Sequence, residues 1–304
     1  MPAAVRPRTV LIAGPTASGK SALALDLAER LGGVVVNADS MQVYRDLKLV
    51  SARPSTADEA RAPHLLYGHV DASEAYSAGR FVLDAGRVLA ENPGLPLIFV
   101  GGTGLYFEAL TRGLSTVSQV PDEVRARWRA YAASVPPEEL HAELSRRDPD
   151  MAAQLRPSDS QRLIRALEVI DATGISLSAW QRIAGSPLID LAEAKRIVLS
   201  VDRTELRARI ARRFARMVEE GALDEVRRLD ERGLDPALPA LKAIGVPQLA
   251  AFLAGQIPLE AAIARAVILS GQYAKRQDTW FRNRFADWPK MSPEAARQMV
   301  LGTE

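Results

Sequence analysis

The chain has 304 residues, of which 47% are apolar and 25% charged, with 39 Lys and Arg against 37 Asp and Glu. Such a length buries a sizeable core in one large domain or a domain with an insertion, and the balance is that of a soluble globular protein without low-complexity tracts. The absence of cysteine excludes a disulfide framework and thiolate zinc sites and fits a reducing, cytoplasmic compartment.

Met1 to Arg8 carries two arginines, but the apolar run that follows, Val10 to Ala13, has only the length of a buried strand. No signal peptide is expected, and no segment approaches the roughly 20 apolar residues of a membrane span. Thr9 to Ala13 reads as the first strand. It enters the loop Gly14-Pro15-Thr16-Ala17-Ser18-Gly19-Lys20-Ser21, after which Ser21 to Leu31 favours helix until Gly32-Gly33 stops it. Val34-Val35-Val36 is a second buried strand, ending in Asn37-Ala38-Asp39-Ser40. His64 and His69 flank a short apolar segment and, with His141, form no metal-binding spacing, so a structural role is expected. Leu97-Ile98-Phe99-Val100 is a third strand, ending in Gly101-Gly102-Thr103-Gly104.

The texture changes near Leu114. From Pro121 to about Ile183 only helical patterns occur, broken at Pro136-Pro137, Pro149 and Pro157. Ser160 to Ala172 places Leu163, Leu167 and Ile170 on one stripe with Arg165 opposite. A strand-like run resumes at Arg196, making Ile197-Val198-Leu199 a candidate fourth strand, and the chain after Asp202 is mostly helical. Continuous apolar strands alternating with helices predict an α/β fold: a core with a mainly parallel sheet covered by helices, plus an all-helical insertion domain. The expected spans are 1–117 for the first part of the core, 118–188 for the insertion and 189–304 for the remainder.

The spacing Gly-x4-Gly-Lys-Ser is that of a phosphate-binding P-loop, here between a buried strand and a helix. Its glycines let the backbone curl so that N–H groups aim at phosphate oxygens, and the following helix adds its positive end. Lys20 supplies a point charge and Ser21 a hydroxyl for Mg²⁺. The pattern specifies phosphates without specifying ATP hydrolysis.

Ligands of parallel α/β sheets sit beyond the carboxyl ends of the strands, so the P-loop, Asp39-Ser40 and Gly102-Thr103 should converge on one crevice. Asp39 either binds Mg²⁺ or accepts a proton there, or it caps a helix or holds a turn. Thr103, between glycines, offers a small hydroxyl where backbone approaches a ligand, or marks a tight turn.

Together these segments resemble the tRNA dimethylallyltransferases, also called tRNA isopentenyltransferases. The resemblance rests on Gly14 to Ser21, on Asp39-Ser40-Met41-Gln42-Val43-Tyr44 and on Gly101-Gly102-Thr103-Gly104-Leu105-Tyr106. It continues through Ala75-Tyr76-Ser77, Asp159 to Glu168 and Tyr273-Ala274-Lys275-Arg276-Gln277-Asp278-Thr279-Trp280-Phe281-Arg282, and so spans nearly the whole chain. Two stretches depart from the family's pattern. Val50-Ser51-Ala52-Arg53-Pro54 stands where Gly-Thr-Ala-Lys-Pro is usual, and Val246-Pro247 follows Ile244-Gly245 where an aromatic-basic pair is common.

The resemblance implies transfer of a dimethylallyl group from its diphosphate to the exocyclic amine of the tRNA adenine beside the anticodon, with Mg²⁺ and release of diphosphate. It implies that Asp39 is the base, that Thr103 holds the amine or a diphosphate oxygen, and that Gly14 to Ser21 grip the diphosphate. It assigns tRNA contacts to Asp39, Ser40, Met41, Gln42, Thr103, Arg125, Gln161, Arg162, Leu163, Ile164 and Arg165, while Lys275, Arg276 and Arg282, interleaved with Tyr273, Trp280 and Phe281, suit tRNA backbone and stacking contacts unless those aromatics are core. The expected protein is a monomer that binds the anticodon stem-loop and dimethylallyl diphosphate and no membrane.

Helical geometry adds Arg213. Leu206, Ile210, Phe214 and Met217 form an apolar stripe, and Arg213 falls within it. It is either a buried arginine paired with a carboxylate or a cation that reaches the diphosphate from outside the loop. Lys195 to Arg216 holds eight basic residues against Asp202 and Glu205, which suits solvated helix faces or a polyanionic partner. Rival readings are a prenyltransferase of free adenosine phosphates, a P-loop kinase or NTPase, and a tRNA-binding protein with a vestigial loop.

Overall fold

A computed structural model describes residues 9–115, 120–183 and 185–302. The chain divides into two compact units, Met1–Thr111 with Leu188–Glu304, and Arg112–Pro187. The helical unit thus starts ahead of the expected residue 118, at the last residue of the helix Gly104–Arg112 that follows Gly101-Gly102-Thr103.

In the first unit the elements run β1 (Thr9–Ala13), α1 (Lys20–Leu31), β2 (Val34–Asn37), α2 (Thr56–Arg61), β3 (His64–Leu65), α3 (Ala78–Glu91), β4 (Leu97–Gly101) and α4 (Gly104–Arg112). The second unit holds α5 (Asp122–Ser134), α6 (Pro137–Arg147), α7 (Pro149–Ala152), α8 (Ser160–Thr173) and α9 (Leu177–Arg182). The first unit resumes with β5 (Ala194–Leu199), α10 (Arg203–Glu219), α11 (Ala222–Asp230), α12 (Val246–Leu253), α13 (Leu259–Arg284), β6 (Lys290–Met291) and α14 (Pro293–Leu301).

The six strands form one sheet in the order β3-β2-β4-β1-β5-β6, every pairing parallel. Side chains alternate across a strand, so each central strand feeds two cores. Leu11, Val36, Phe99 and Val198 face a large core shared with α3, α4 and α10 to α13. Val10, Val35, Ile98 and Ile197 face a smaller one covered by α1 and α14. Burial on both faces is why these strands read as unbroken apolar runs. The two-residue edge strands β3 and β6 carry no such run, and sequence reading passes over them.

Local signals set the helix ends. Gly32 closes α1 in the left-handed conformation, its N–H bonded to the Ala28 carbonyl. Asp202 opens α10 by accepting from the N–H groups of Thr204 and Glu205 at 2.8 and 3.1 Å.

The helical unit has its own core of Trp128, Leu140, Leu144, Met151, Leu163 and Leu167. Its prolines do more than interrupt: Pro137 and Pro149 occupy the first turns of α6 and α7, where a missing N–H costs nothing.

Candidate active site

The loop after β1 is curled by two left-handed residues, Ala17 at φ 63° and Gly19 at φ 90°. The Ser18 N–H turns back to the Pro15 carbonyl at 3.2 Å. Lys20 and Ser21 open α1, where the N–H groups of the first turn have no partner within the helix. Lys20 Nζ donates to the Pro15 carbonyl at 3.2 Å. Burial lowers its pKa to about 8; the Asp39 carboxylate raises it and the Arg213 guanidinium lowers it further. Ser21 is exposed, its hydroxyl at the helix start.

Thr16 departs from the expected pattern. Its N–H donates to Gln277 Oε1 at 2.9 Å, and its hydroxyl takes Arg213 Nη2 at 2.6 Å. Proline 15 has no N–H. Thr16 thus anchors the loop to α10 and α13, with its N–H and one lone pair of its hydroxyl engaged.

Neighbouring strands place the other groups. Because β2 and β4 pair in register, with Asn37 opposite Val100, the chain leaves both at the same level. The ladder runs on through Ala38 N–H to the Val100 carbonyl at 2.8 Å and Thr103 N–H to the Ala38 carbonyl at 3.3 Å. Asp39 is framed by the fully buried Asn37, whose Oδ1 accepts the Asp39 N–H at 2.8 Å and whose amide donates to the Asp39 and Leu66 carbonyls at 2.9 and 3.0 Å. Asp39 Oδ1 accepts the Met41 N–H at 3.0 Å, so this aspartate does hold a turn. Its Oδ2 lies 3.3 Å from where a methyl on Gly102 would sit. The Thr103 hydroxyl accepts the Ser40 N–H at 3.0 Å and donates to Ser40 Oγ at 3.3 Å.

Arg213 leaves the apolar stripe of α10 toward the loop. Burial lowers its pKa and the nearby Asp39 charge raises it, so one field contains Lys20, Arg213 and Asp39. Among the described residues it has no short carboxylate partner; its hydrogen bond is to Thr16. Three phenols surround the same carboxylate: burial, then the Asp39 charge, pushes up the pKa values of Tyr67, Tyr106 and Tyr273. Asp39 therefore lies within electrostatic range of two cations, Lys20 and Arg213, and of three phenols, Tyr67, Tyr106 and Tyr273.

The residues expected at tRNA spread over several elements. Met41 packs partly against the large core, and the Gln42 amide is taken by the Ser51 and Ala52 carbonyls at 3.0 and 2.8 Å. Lys275 and Arg276 are exposed on α13, with Arg276 5.6 Å from the Tyr273 ring centroid. Arg282 lies 3.9 Å from Asp278. Phe281 is fully buried core and offers no stacking surface, whereas Tyr273 and Trp280 remain partly exposed. In the helical unit Arg125 pairs with Asp122 at 3.4 Å, Arg162 with Asp159 at 3.5 Å and Arg165 with Glu168 at 3.4 Å. Gln161 is exposed, Ile164 partly buried, and Leu163 is fully buried in that unit's core.

The two departures from the family pattern have structural places. Arg53 braces the Tyr44 and Arg45 carbonyls at 3.3 Å each. Val246 is buried at the start of α12, where Pro247 fits the first turn. Sequence reading gave no role to Asn37 or Gln277. The signal for Gln277 is a polar residue on the stripe Ser270, Ala274, Gln277, Phe281, where burial demands partners.

The comparisons agree with this architecture. The family model for IPP transferase matches residues 42–284, and that for isopentenyl transferase matches residues 7–67. A protein of Azorhizobium caulinodans named tRNA dimethylallyltransferase is 51% identical over 303 residues, covering 99% of this chain and 97% of its own. The crystal structure of the full-length tRNA isopentenylpyrophosphate transferase of Bacillus halodurans is 33% identical, with a TM-score of 0.66, covering 98% of this chain and 96% of that one. A eukaryotic dimethylallyltransferase captured acting on tRNA is 28% identical, with a TM-score of 0.78, covering 94% of this chain and 73% of its own. The chain belongs to the IPP transferase family.

Proposed function

We propose that this protein transfers a dimethylallyl group from dimethylallyl diphosphate to the exocyclic amine of the tRNA adenine next to the anticodon, releasing diphosphate. The observation that carries the reading is that Lys20 and Arg213 lie within the electrostatic reach of Asp39, with β4 and its Thr103 between the strands that lead to Lys20 and Asp39. Cations at one end suit a leaving diphosphate, and a carboxylate at the other suits an amine that must lose a proton. The relatives' names supply the substrates that fit these two ends.

In this reading the loop's N–H groups and Lys20 hold the diphosphate, and Arg213 reaches it from α10. Such fixed donors act most strongly on charge that develops in the transition state. The adenine amine is a poor nucleophile because its lone pair is delocalised into the ring. As its nitrogen bonds the allylic carbon, the carbon–oxygen bond to diphosphate breaks and a proton passes from nitrogen to Asp39. Thr103 orients the amine or a diphosphate oxygen, and the three tyrosines exclude water. An adenine in an anticodon loop must leave its stack to enter.

Mg²⁺ suits this crevice. Ser21 is exposed, Asp39 lies within electrostatic range of Lys20, and among the described residues no cluster of three His, Cys, Asp or Glu forms a protein cage. That donor set matches a cation completed by phosphate oxygens and water. When bound, the ion would neutralise charge on the departing diphosphate.

The helical unit, with Arg125 and Gln161 to Arg165, serves as an additional tRNA surface, together with Ser40, Met41, Gln42, Lys275, Arg276 and Arg282. The Gln42 amide is engaged and Leu163 is buried in α8, so neither side chain is free to touch tRNA. The protein acts as a cytoplasmic monomer. Among the described residues no helix is long and apolar enough to cross a membrane.

The test is incubation with labelled dimethylallyl diphosphate, Mg²⁺ and unmodified tRNA, followed by nucleoside analysis. Label on the adenosine beside the anticodon is expected. Label on free AMP or ATP but not on tRNA, or ATP hydrolysis without prenyl transfer, would replace the reading.

A further inference from the structure

The motif Lys275-Arg276-Gln277 supplies two exposed cations and one buried amide, and the transfer chemistry above leaves that amide without a task. We propose that Gln277 is a positioning residue: its amide ties Thr16 of the phosphate loop to Gly102 at the end of β4 and so sets the span between the held diphosphate and Asp39. The inference rests on the transferase reading and adds a residue to it.

The bridge is specific at both ends. Gln277 Oε1 accepts the Thr16 N–H at 2.9 Å, and Nε2 donates to the Gly102 carbonyl at 2.9 Å. One end needs an acceptor and the other a donor, so a single orientation of the amide satisfies both. The side chain is 5% exposed, on a stripe where an apolar residue would pack without desolvating an amide. Leucine or methionine there would leave the Thr16 N–H and the Gly102 carbonyl without these partners.

The far end of the bridge is cleared for it. A methyl on Gly102 would lie 2.1 Å from Gln277 Nε2 and 3.3 Å from Asp39 Oδ2, so the amide and the carboxylate flank the same bare backbone. Gly102 is absent from the residues at positive φ, which leaves this close approach as the reason for glycine. The near end is equally loaded, because Thr16 also holds Arg213 through its hydroxyl at 2.6 Å. Tyr273, one turn earlier on α13, lies close enough to Gln277 and Thr103 for both to lower the pKa that burial raises. One side chain thus touches the diphosphate grip and the amine end together. Transfer requires the reacting atoms within a near-attack distance, and small displacements cost large factors in rate.

The test is single-turnover transfer by the full-length enzyme, with labelled dimethylallyl diphosphate and unmodified tRNA both saturating. Gln277→Met is expected to lower the rate about 10- to 100-fold. Its apparent affinities for both substrates should stay within about threefold of wild type, since the gripping groups remain. Gln277→Glu keeps an oxygen for the Thr16 N–H but donates to the Gly102 carbonyl only when protonated. Its rate relative to wild type should therefore climb as pH falls from about 8 to about 6, while the ratio for Gln277→Met stays flat. Should Gln277→Met fail to fold, the pH profile of Gln277→Glu decides alone. A wild-type rate for Gln277→Met, or a flat ratio for Gln277→Glu, would overturn the positioning role and leave the transferase reading standing. A wild-type enzyme inert toward tRNA would overturn both.

Discussion

Burial lowers Lys20 from 10.5 to about 8, which ties the phosphate loop to pH in two opposite ways. Between about pH 8 and 10.5 an unfolded lysine binds more protons than the folded one, so the ligand-free protein gains stability as pH rises through that window. Diphosphate needs the charged ammonium, so binding above about pH 8 must take up a proton. The affinity for dimethylallyl diphosphate is expected to fall toward tenfold per pH unit above about pH 8, and Lys20→Met should remove that slope. Titration of ligand binding at several pH values checks both. Asp39 carries a turn as well as the assigned proton transfer, and the two roles separate by substitution. Asp39→Asn keeps an oxygen for the Met41 N–H and should leave the melting temperature unchanged while single-turnover transfer drops about 10²–10⁴-fold. Arg213→Ala removes a charged hydrogen bond to Thr16 and a cation facing the site. An increase of about 10- to 100-fold in the KM for dimethylallyl diphosphate is expected from steady-state rates.

At the scale of elements, α13 joins stability to the site. Its stripe of Ser270, Ala274, Gln277 and Phe281 puts small residues against α10, an amide at the crevice and an aromatic ring in the core, one turn apart. Phe281 is fully buried and stacks on Phe285, with ring centroids 6.0 Å apart. Phe281→Ala is expected to cost about 3–5 kcal/mol, read as a lower midpoint in chemical denaturation. The same helix shows how legible the elements were. The strands β1, β2, β4 and β5 announce themselves by apolar runs, and α1 and α8 by glycines that close them at Gly32 and Gly174. The edges β3 and β6 do not, because two residues cannot establish a period. Phe281 stands among cations as a stacking aromatic would, yet its place on the stripe puts it inside.

For the whole molecule the net charge of +2 is too small to attract a polyanion, so tRNA binding depends on where the cations lie. Several basic residues in the α10 region are engaged within the protein: Arg209 pairs with Glu205, Arg196 with Asp287, and Arg213 with Thr16. Lys275 and Arg276 stay exposed on α13. Affinity for the anticodon stem-loop is expected to fall steeply with salt. Lys275→Ala and Arg276→Ala should each reduce the log–log slope by about 0.7–0.9 without changing the KM for dimethylallyl diphosphate. Filter binding across a salt series measures the first, and initial rates the second.

The sequence alone determined the phosphate loop, the parallel α/β core, the helical insertion and the carboxylate and hydroxyl at two further strand ends. All of these are local: they depend on residue type, period and chain neighbours. Tertiary structure decided which groups share a crevice and what each is free to do. The ordering β2-β4-β1 sets Asp39, Thr103 and the loop side by side. Thr16 was read as one phosphate donor among eight loop residues, but its N–H and hydroxyl go to Gln277 and Arg213, 261 and 197 positions away. No pattern in a single sequence pairs residues so distant, because the pairing is made by packing α10 and α13 over the sheet.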